Sequence, residues 1–324
     1  MQEGKMEKKN KPFRLYMMAP IVDFVFFLTL AVVYYLLSGE IHMLITFLYL
    51  GIFTAGAMVL YGILSKNKKI IGRRISFFMV GMALLIGMGI FGRIDIQIEG
   101  FFFYLLAGIY GGTVVHYLVA KVFGPVILQR SWCGWGCWTL TILDLFPFKR
   151  SAGRIPGRWG WLRYGHFVLS LGLVMMLWHG FGYSISRQQW DIKALYWVAA
   201  GNVFYYITAI ALAYKLKDNR AFCKYVCPIT LFLKLSSIFS IQRIKGESDL
   251  CNECGACEKL CPMDIRISAY IMNEKRVLST ECILCMNCIT ACPTNALKVS
   301  LGLDLGGKEL LVEKESSERF LEND

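Results

Sequence analysis

The chain has 324 residues, 56% of them hydrophobic, and a formal net charge of +12. Apolar runs of about twenty residues exclude an ordinary soluble core and point to a bilayer. The positive charge does not imply a nucleic-acid partner, because integral membrane proteins collect Lys and Arg on their cytoplasmic loops.

Taken in chain order, residues 1–16 form a basic segment expected to be cytoplasmic. Window hydropathy then predicts about six helical spans: Met17 to Leu37, Ile41 to Leu64, Ile75 to Phe91, Phe101 to Val119, His166 to Tyr183 and Leu195 to Tyr214. The first run is longer than a signal-peptide core and shows no small-residue cleavage pattern, so an uncleaved anchor is expected. Lys66, Lys68, Lys69, Arg73 and Arg74 follow the second span, and Arg130, Lys149, Arg150, Arg154, Arg158 and Arg163 follow the fourth. The alternate loops hold only Arg93, then Arg187 and Lys193. This asymmetry predicts a multi-pass protein of the cytoplasmic membrane with both termini inside.

All twelve cysteines fall in four clusters on the side expected to be cytoplasmic, where such clustering argues for metal or redox chemistry over structural disulfides. CNECGACEKLCP, Cys251 to Pro262, and CILCMNCITACP, Cys282 to Pro293, are two copies of CxxCxxCxxxCP. This spacing resembles the bacterial two-cluster ferredoxin, in which the fourth Cys of each run reaches the other cubane. The resemblance implies one 4Fe-4S cluster on Cys251, Cys254, Cys257 and Cys292, and a second on Cys282, Cys285, Cys288 and Cys261. A zinc site would normally use pairs of CxxC instead.

The other four cysteines occur in RSWCGWGCW, Arg130 to Trp138, and RAFCKYVCP, Arg220 to Pro228. Aligned without gaps, Arg130 meets Arg220, Trp132 meets Phe222, Cys133 meets Cys223, Trp135 meets Tyr225 and Cys137 meets Cys227. An internal duplication is the economical reading, and duplicated halves tend to face each other. Four thiolates brought together would make an iron-sulfur ligand set, so a third cluster is the leading expectation. A redox dithiol pair and inert anchoring at the interface are the alternatives. Arg130 and Arg220 would favour thiolate, while Trp132, Trp135, Trp138, Phe222 and Tyr225 suit a headgroup boundary.

Several spans, two CxxxC motifs and a terminal two-cluster ferredoxin resemble the membrane polyferredoxins of the NapH/NosR-like type, associated with periplasmic nitrate and nitrous oxide reduction. The first motif departs from that pattern, ending in Cys137-Trp138 rather than Cys-Pro. The resulting expectation is a membrane α-helical bundle, residues 17–245, carrying the two CxxxC motifs. An α+β ferredoxin domain follows at 246–298, joined by a short linker at Ile241 to Leu250, and an acidic tail at 299–324. The function implied is electron transfer between a quinone pool or membrane partner and a cytoplasmic redox protein. A redox-active assembly or regulatory factor is the alternative, with Met175 and Met176 as soft copper ligands.

Haem is not expected. His166 could meet His116, and His179 could meet His42, but the thirteen residues from His166 to His179 turn about 220° and put those rings on different helix faces. Asp23, inside the first span, is either a proton carrier or a paired interfacial acid. Lys121 is expected to snorkel at a span edge.

Overall fold

The computed structural model describes residues 3–39, 41–110, 112–148, 153–183 and 192–314. Lys149, Arg150, Arg187 and the side chain of His42 lie outside that description, as does the acidic tail beyond residue 314.

Among the described residues, five helical stretches are long and apolar enough to cross a bilayer: Met18–Leu37, Leu44–Ile63, Lys66–Phe91, Trp159–Gly180 and Ile192–Leu216. The first two lie in α1 (Glu3–Ser38) and α2 (Ile41–Ile63). The third contains α3 (Lys69–Leu84), prolonged by π-turns over Leu85–Phe91. Asp23, in α1, accepts a hydrogen bond from the Thr54 hydroxyl of α2 at 2.5 Å, which gives that acid a partner on its packing face.

The fourth expected span, Phe101 to Val119, is not one helix. α4 (Ile98–Leu106) ends at Ala107, and the chain turns through Gly108 at φ +66°. It restarts as α5 (Gly112–Tyr117), passes through π-turns at Leu118–Phe123 and ends as α6 (Gly124–Leu128). A hydropathy window averages across that break, because residues 107–112 are apolar or neutral in composition although the chain turns at Gly108. Upstream of α4 the segment 92–97 folds back into the bundle. A Cβ on Gly201 would stand 3.2 Å from Gln97 Cγ, which sets Gln97 nine residues, about 13 Å, inside the next-but-one span. Non-helical backbone at that depth is tolerable only where protein covers it, and here Ile96, Ile98 and Phe103 are fully buried.

At one end of the bundle lie four short helices: α7 (Ser131–Trp135) and α8 (Trp138–Leu143), then, after α9 (Leu162–Gly180) and α10 (Ile192–Leu216), α11 (Ala221–Tyr225) and α12 (Thr230–Ser237). The ferredoxin fold sits on this end. Its frame is a two-stranded antiparallel sheet, β1 (Gln242–Gly246) and β2 (Leu297–Leu301), with Ile244 opposite Val299. Between the strands run α13 (Ala256–Lys259), α14 (Ile267–Met272) and α15 (Asn287–Ala291).

Two boundaries move as a result. The expected linker at Ile241 to Leu250 is largely β1, and residues 299–301 belong to the sheet, not to a tail. The segment beyond β2 packs back: Arg276 binds Asp304, Thr280 N donates to Glu309 at 3.0 Å, and Arg154 N donates to Val312 O at 2.7 Å. That last bond ties the loop before α9 directly to the ferredoxin.

Candidate metal centres

The two CxxxC motifs fold alike. In each, an arginine precedes a single helical turn, and the second cysteine closes the turn through its backbone. Cys137 N donates to Trp132 O at 3.0 Å, and Cys227 N donates to Phe222 O at 2.9 Å. The turn ends there in both copies, so the second thiol leaves the helix axis and faces the same side as the first.

The structure brings the four thiols together. Cys133, Cys137, Cys223 and Cys227 line one void, with Gln97, Lys121, Arg130, Trp138 and Tyr205 among the other walls. Burial and the Cys133 thiol next to it push Cys137 up to about 11. Thiols crowded in this way are protonated unless a metal takes the proton's place. Two buried guanidinium nitrogens of Arg130, Nε and Nη2, have no hydrogen-bond partner. Orphaned donors beside four thiols fit an iron-sulfur cluster, whose sulfides accept such bonds. Among the described residues, no three His, Cys, Asp or Glu side chains converge tightly enough for a single ion. A lone zinc needs its sulfurs about 2.3 Å from one point, whereas thiols spread around a void suit a larger cluster.

The ferredoxin thiols fit the same chemistry. Cys261, Cys282, Cys285 and Cys288, the second set implied by the ferredoxin resemblance, line another void with Ile244, Ile265 and Val277. In the first set, Cys257 lies within reach of the charges of Cys251 and Cys254. Cys292 follows α15, its Sγ accepting from Ala296 N at 3.3 Å.

What joins the two regions is a dense buried interface. Gly134, between the first pair of thiols, packs so closely on the ferredoxin that a Cβ there would stand 2.4 Å from Ile283 O and 3.6 Å from Cys285 Cα. Beside it, Trp135 Nε1 donates to Leu284 O at 3.0 Å. Glu281, the residue before Cys282, receives Arg130 at 2.8 Å, Arg163 at 3.0 Å, Arg154 at 3.1 Å and Lys234 at 2.7 Å. Burial alone would raise the Glu281 carboxyl, but Arg154, Arg163 and Arg130 hold it well below the ordinary glutamate value. Asp144 does the matching work on the membrane side, binding Arg220 at 2.7 Å and Arg73 at 2.8 Å. Arg73 also donates to Gly134 O at 3.1 Å and, through Nε, to Asn287 Oδ1 of α15 at 3.2 Å.

A 4Fe-4S dicluster domain matches residues 243–293. An uncharacterised protein of Methanocaldococcus jannaschii is 26% identical over 249 residues, covering 72% of this chain and 88% of its own. The ferredoxin-type protein NapH of Haemophilus influenzae is 26% identical over 220 residues, covering 60% of this chain and 71% of its own. YccM of Escherichia coli, named for electron transport, is 26% identical over 190 residues, 54% of this chain and 52% of its own, so the match spans about half of that relative. The chain is similar to NapH-like membrane polyferredoxins. No solved structure matches it. These findings make it a multi-pass, iron-sulfur electron-transfer protein with 4Fe-4S clusters in its C-terminal domain.

Several sequence expectations change at the site. Trp138, Phe222 and Tyr225 are buried around the thiols rather than set in a headgroup belt. Lys121 does not snorkel; it is 1% exposed, with Nζ 3.6 Å from the Trp132 ring centroid. His116 packs edge-on against Trp132, while His166 Nδ1 lies 2.9 Å from Val226 O, so both rings have ordinary packing partners. Met175 and Met176 are partly exposed on α9, 38% and 53%. Asp144, Glu281, Asp95, Gln97 and Glu99 were not singled out in the sequence. The available signal was an acid inside or beside an apolar stretch, and only Asp23 was read that way.

Proposed function

We propose that this chain is a membrane-bound relay with three cubanes. Cys251, Cys254, Cys257 and Cys292 hold the first, Cys282, Cys285, Cys288 and Cys261 the second, and the paired Cys133, Cys137, Cys223 and Cys227 the third. When bound, the clusters supply one-electron redox chemistry, and the protein fixes their spacing and surroundings. The third site and the basic Arg73 segment share the bundle end that carries the ferredoxin, and on the charge asymmetry this end is cytoplasmic. Electrons pass between a cytoplasmic redox protein, through the ferredoxin, and a quinone or membrane partner beside the bundle.

The single observation that carries this reading is the seating of Gly134 on the Ile283 to Cys285 backbone. It leaves no room for solvent or a mobile linker between the first CxxxC turn and the loop of the second ferredoxin set. A dithiol exchanging with soluble partners would need access, yet Cys133 and Cys223 are 5% and 3% exposed.

Iron and sulfide analysis with electron paramagnetic resonance of the reduced, full-length protein tests the count. Wild type should hold about twelve irons, and the Cys133→Ser, Cys137→Ser, Cys223→Ser, Cys227→Ser variant about eight, with the ferredoxin signals kept. About eight irons in both proteins would remove the third cluster.

A further inference from the structure

The re-entrant segment from Gly92 to Leu106 holds a buried polar cluster that the relay itself does not use. Asp95 and Gln97 are 0% and 1% exposed, and Glu99 is 9% exposed. Asp95 Oδ1 accepts from Gln97 N at 3.0 Å, and a Cβ on Gly100 would collide with the Asp95 carboxyl, so this acid is folded against the first turn of α4. Glu99 Oε1 accepts from the Ser170 hydroxyl of α9 at 2.6 Å.

Around this pair, buried polar atoms go without partners. They are Asp95 Oδ2, Gln97 Nε2 and Oε1, the Tyr117 hydroxyl, the Tyr205 hydroxyl and Asn202 Oδ1. Each such orphan is destabilising, and a fold keeps several in one place only for a reason. Gln97 and Tyr205 also wall the thiol void. Tyr117 and Tyr205 lie within reach of the charges of Glu99 and Asp95 on one side and of Cys227 on the other. Both phenols are thus within electrostatic range of the carboxyl pair and of the thiol site, and Tyr205 lines the thiol void itself.

We propose that Asp95 and Glu99 form a redox-linked proton site: when one electron reaches the cluster at Cys133, Cys137, Cys223 and Cys227, the pair takes up one proton. This rests on the third cluster of the preceding section. The electron comes from the ferredoxin, or from dithionite in the test. The proton comes from water and forms one O–H bond on a carboxylate, and both leave on reoxidation. No other bond is made or broken.

The physical reason is charge. An added electron in a dry setting is costly unless a positive charge moves with it. Asp95 and Glu99 are buried carboxyls with little water to screen them, so a proton bound there places a compensating positive charge inside the same dry region. Among the described residues, the other titratable or charged groups around this region include His116, Tyr117 and Lys121 from the helix 112–128, Tyr205 from α10, His166 of α9 with its ring 5.7 Å from that of Tyr205, and Arg130 at the first motif. Ser170 from α9 supplies a hydroxyl. Lys121, its Nζ against Trp132, is the rival carrier.

The test is a potentiometric titration of the intact protein, followed by electron paramagnetic resonance between about pH 6 and pH 9. The third signal's midpoint should fall by about 59 mV per pH unit, the electrical equivalent of a tenfold change in proton activity for one electron. In an Asp95→Asn, Glu99→Gln variant the slope should vanish, with iron content and ferredoxin signals unchanged. Lys121→Met should keep it. Redox-difference infrared spectra should show a protonated-carboxyl band in wild type that the double variant lacks. A pH-independent midpoint in wild type overturns the proposal without touching the relay, and so does a slope that survives in the double variant or disappears in Lys121→Met. Wild type with about eight irons would sink the third cluster and this site with it.

Discussion

The two CxxxC turns have nearly the same backbone and different neighbours. In the first copy, Arg130 reaches across to Glu281 of the ferredoxin, Trp135 to Leu284 O, and Gly134 sits on Ile283. In the second, Arg220 stays within the membrane domain, donating to Cys133 O at 3.0 Å and binding Asp144, and Tyr225 accepts from Ile155 N at 2.9 Å. The two copies bring four thiols to equivalent positions around one void. Divergence then gave the first copy most of the contacts with the docked domain, while the second reaches it chiefly through the buried ion pair of Lys224 with Asp264.

Removing the hub of the docked side should have the largest effect. Glu281→Gln leaves Arg130, Arg154 and Arg163 buried without their shared acid, and an uncompensated buried charge costs about 3–5 kcal/mol. Cluster absorbance should bleach at a markedly lower temperature, and limited proteolysis should release the ferredoxin. Asp144→Asn should instead loosen the second copy and α3, leaving the ferredoxin folded but the thiol void disordered. If both variants fail in the same way, the division of labour between the copies is wrong.

A smaller loss, about 1–3 kcal/mol, is expected from Gly134→Ala, because its methyl group meets a backbone carbonyl rather than a side chain that can swing away. Electron exchange between the third site and the ferredoxin should slow when followed by rapid-freeze spectroscopy. Gly172→Ala, on a face of α9 with nothing within 4 Å, is the control that should leave the rate unchanged and raise stability slightly, because alanine favours a helix over glycine.

These contrasts mark what could be read from the sequence. The ferredoxin was legible because its spacing is dictated by the geometry of a cubane, and the kinship of the motifs because thiols and arginines recur at fixed offsets. Long spans were legible where a helix stays whole, as in α2 and α10. The fourth span was not, since apolar glycine-containing residues look alike in a helix and in a turn. The interface was not legible either: Arg73, Arg154 and Arg163 were read only as topology charges and Arg130 as a partner of the thiols as well, yet each finds a buried acid. Nothing in their local sequence names Asp144 or Glu281, which arrive from 71 and 151 residues away for Arg73 and Arg130.

The smallest expected effect separates the copies most cleanly. Trp135 and Tyr225 are aligned, and each makes one hydrogen bond through its aromatic ring system, but to different parts of the molecule. Trp135→Phe removes the indole N–H that Leu284 O accepts, while Tyr225→Phe removes the hydroxyl that Ile155 N donates to. Each should cost about 0.5–1.5 kcal/mol, so overall stability will hardly distinguish them. Hydrogen exchange will. Trp135→Phe should speed exchange in the Cys282 to Cys288 loop and leave residues 153–155 unchanged, and Tyr225→Phe should do the reverse. Because neither side chain carries charge, the outcome is free of the ion-pair network that dominates the larger variants. If either substitution loosens both segments equally, the copies are coupled through the thiol site between them rather than anchored separately.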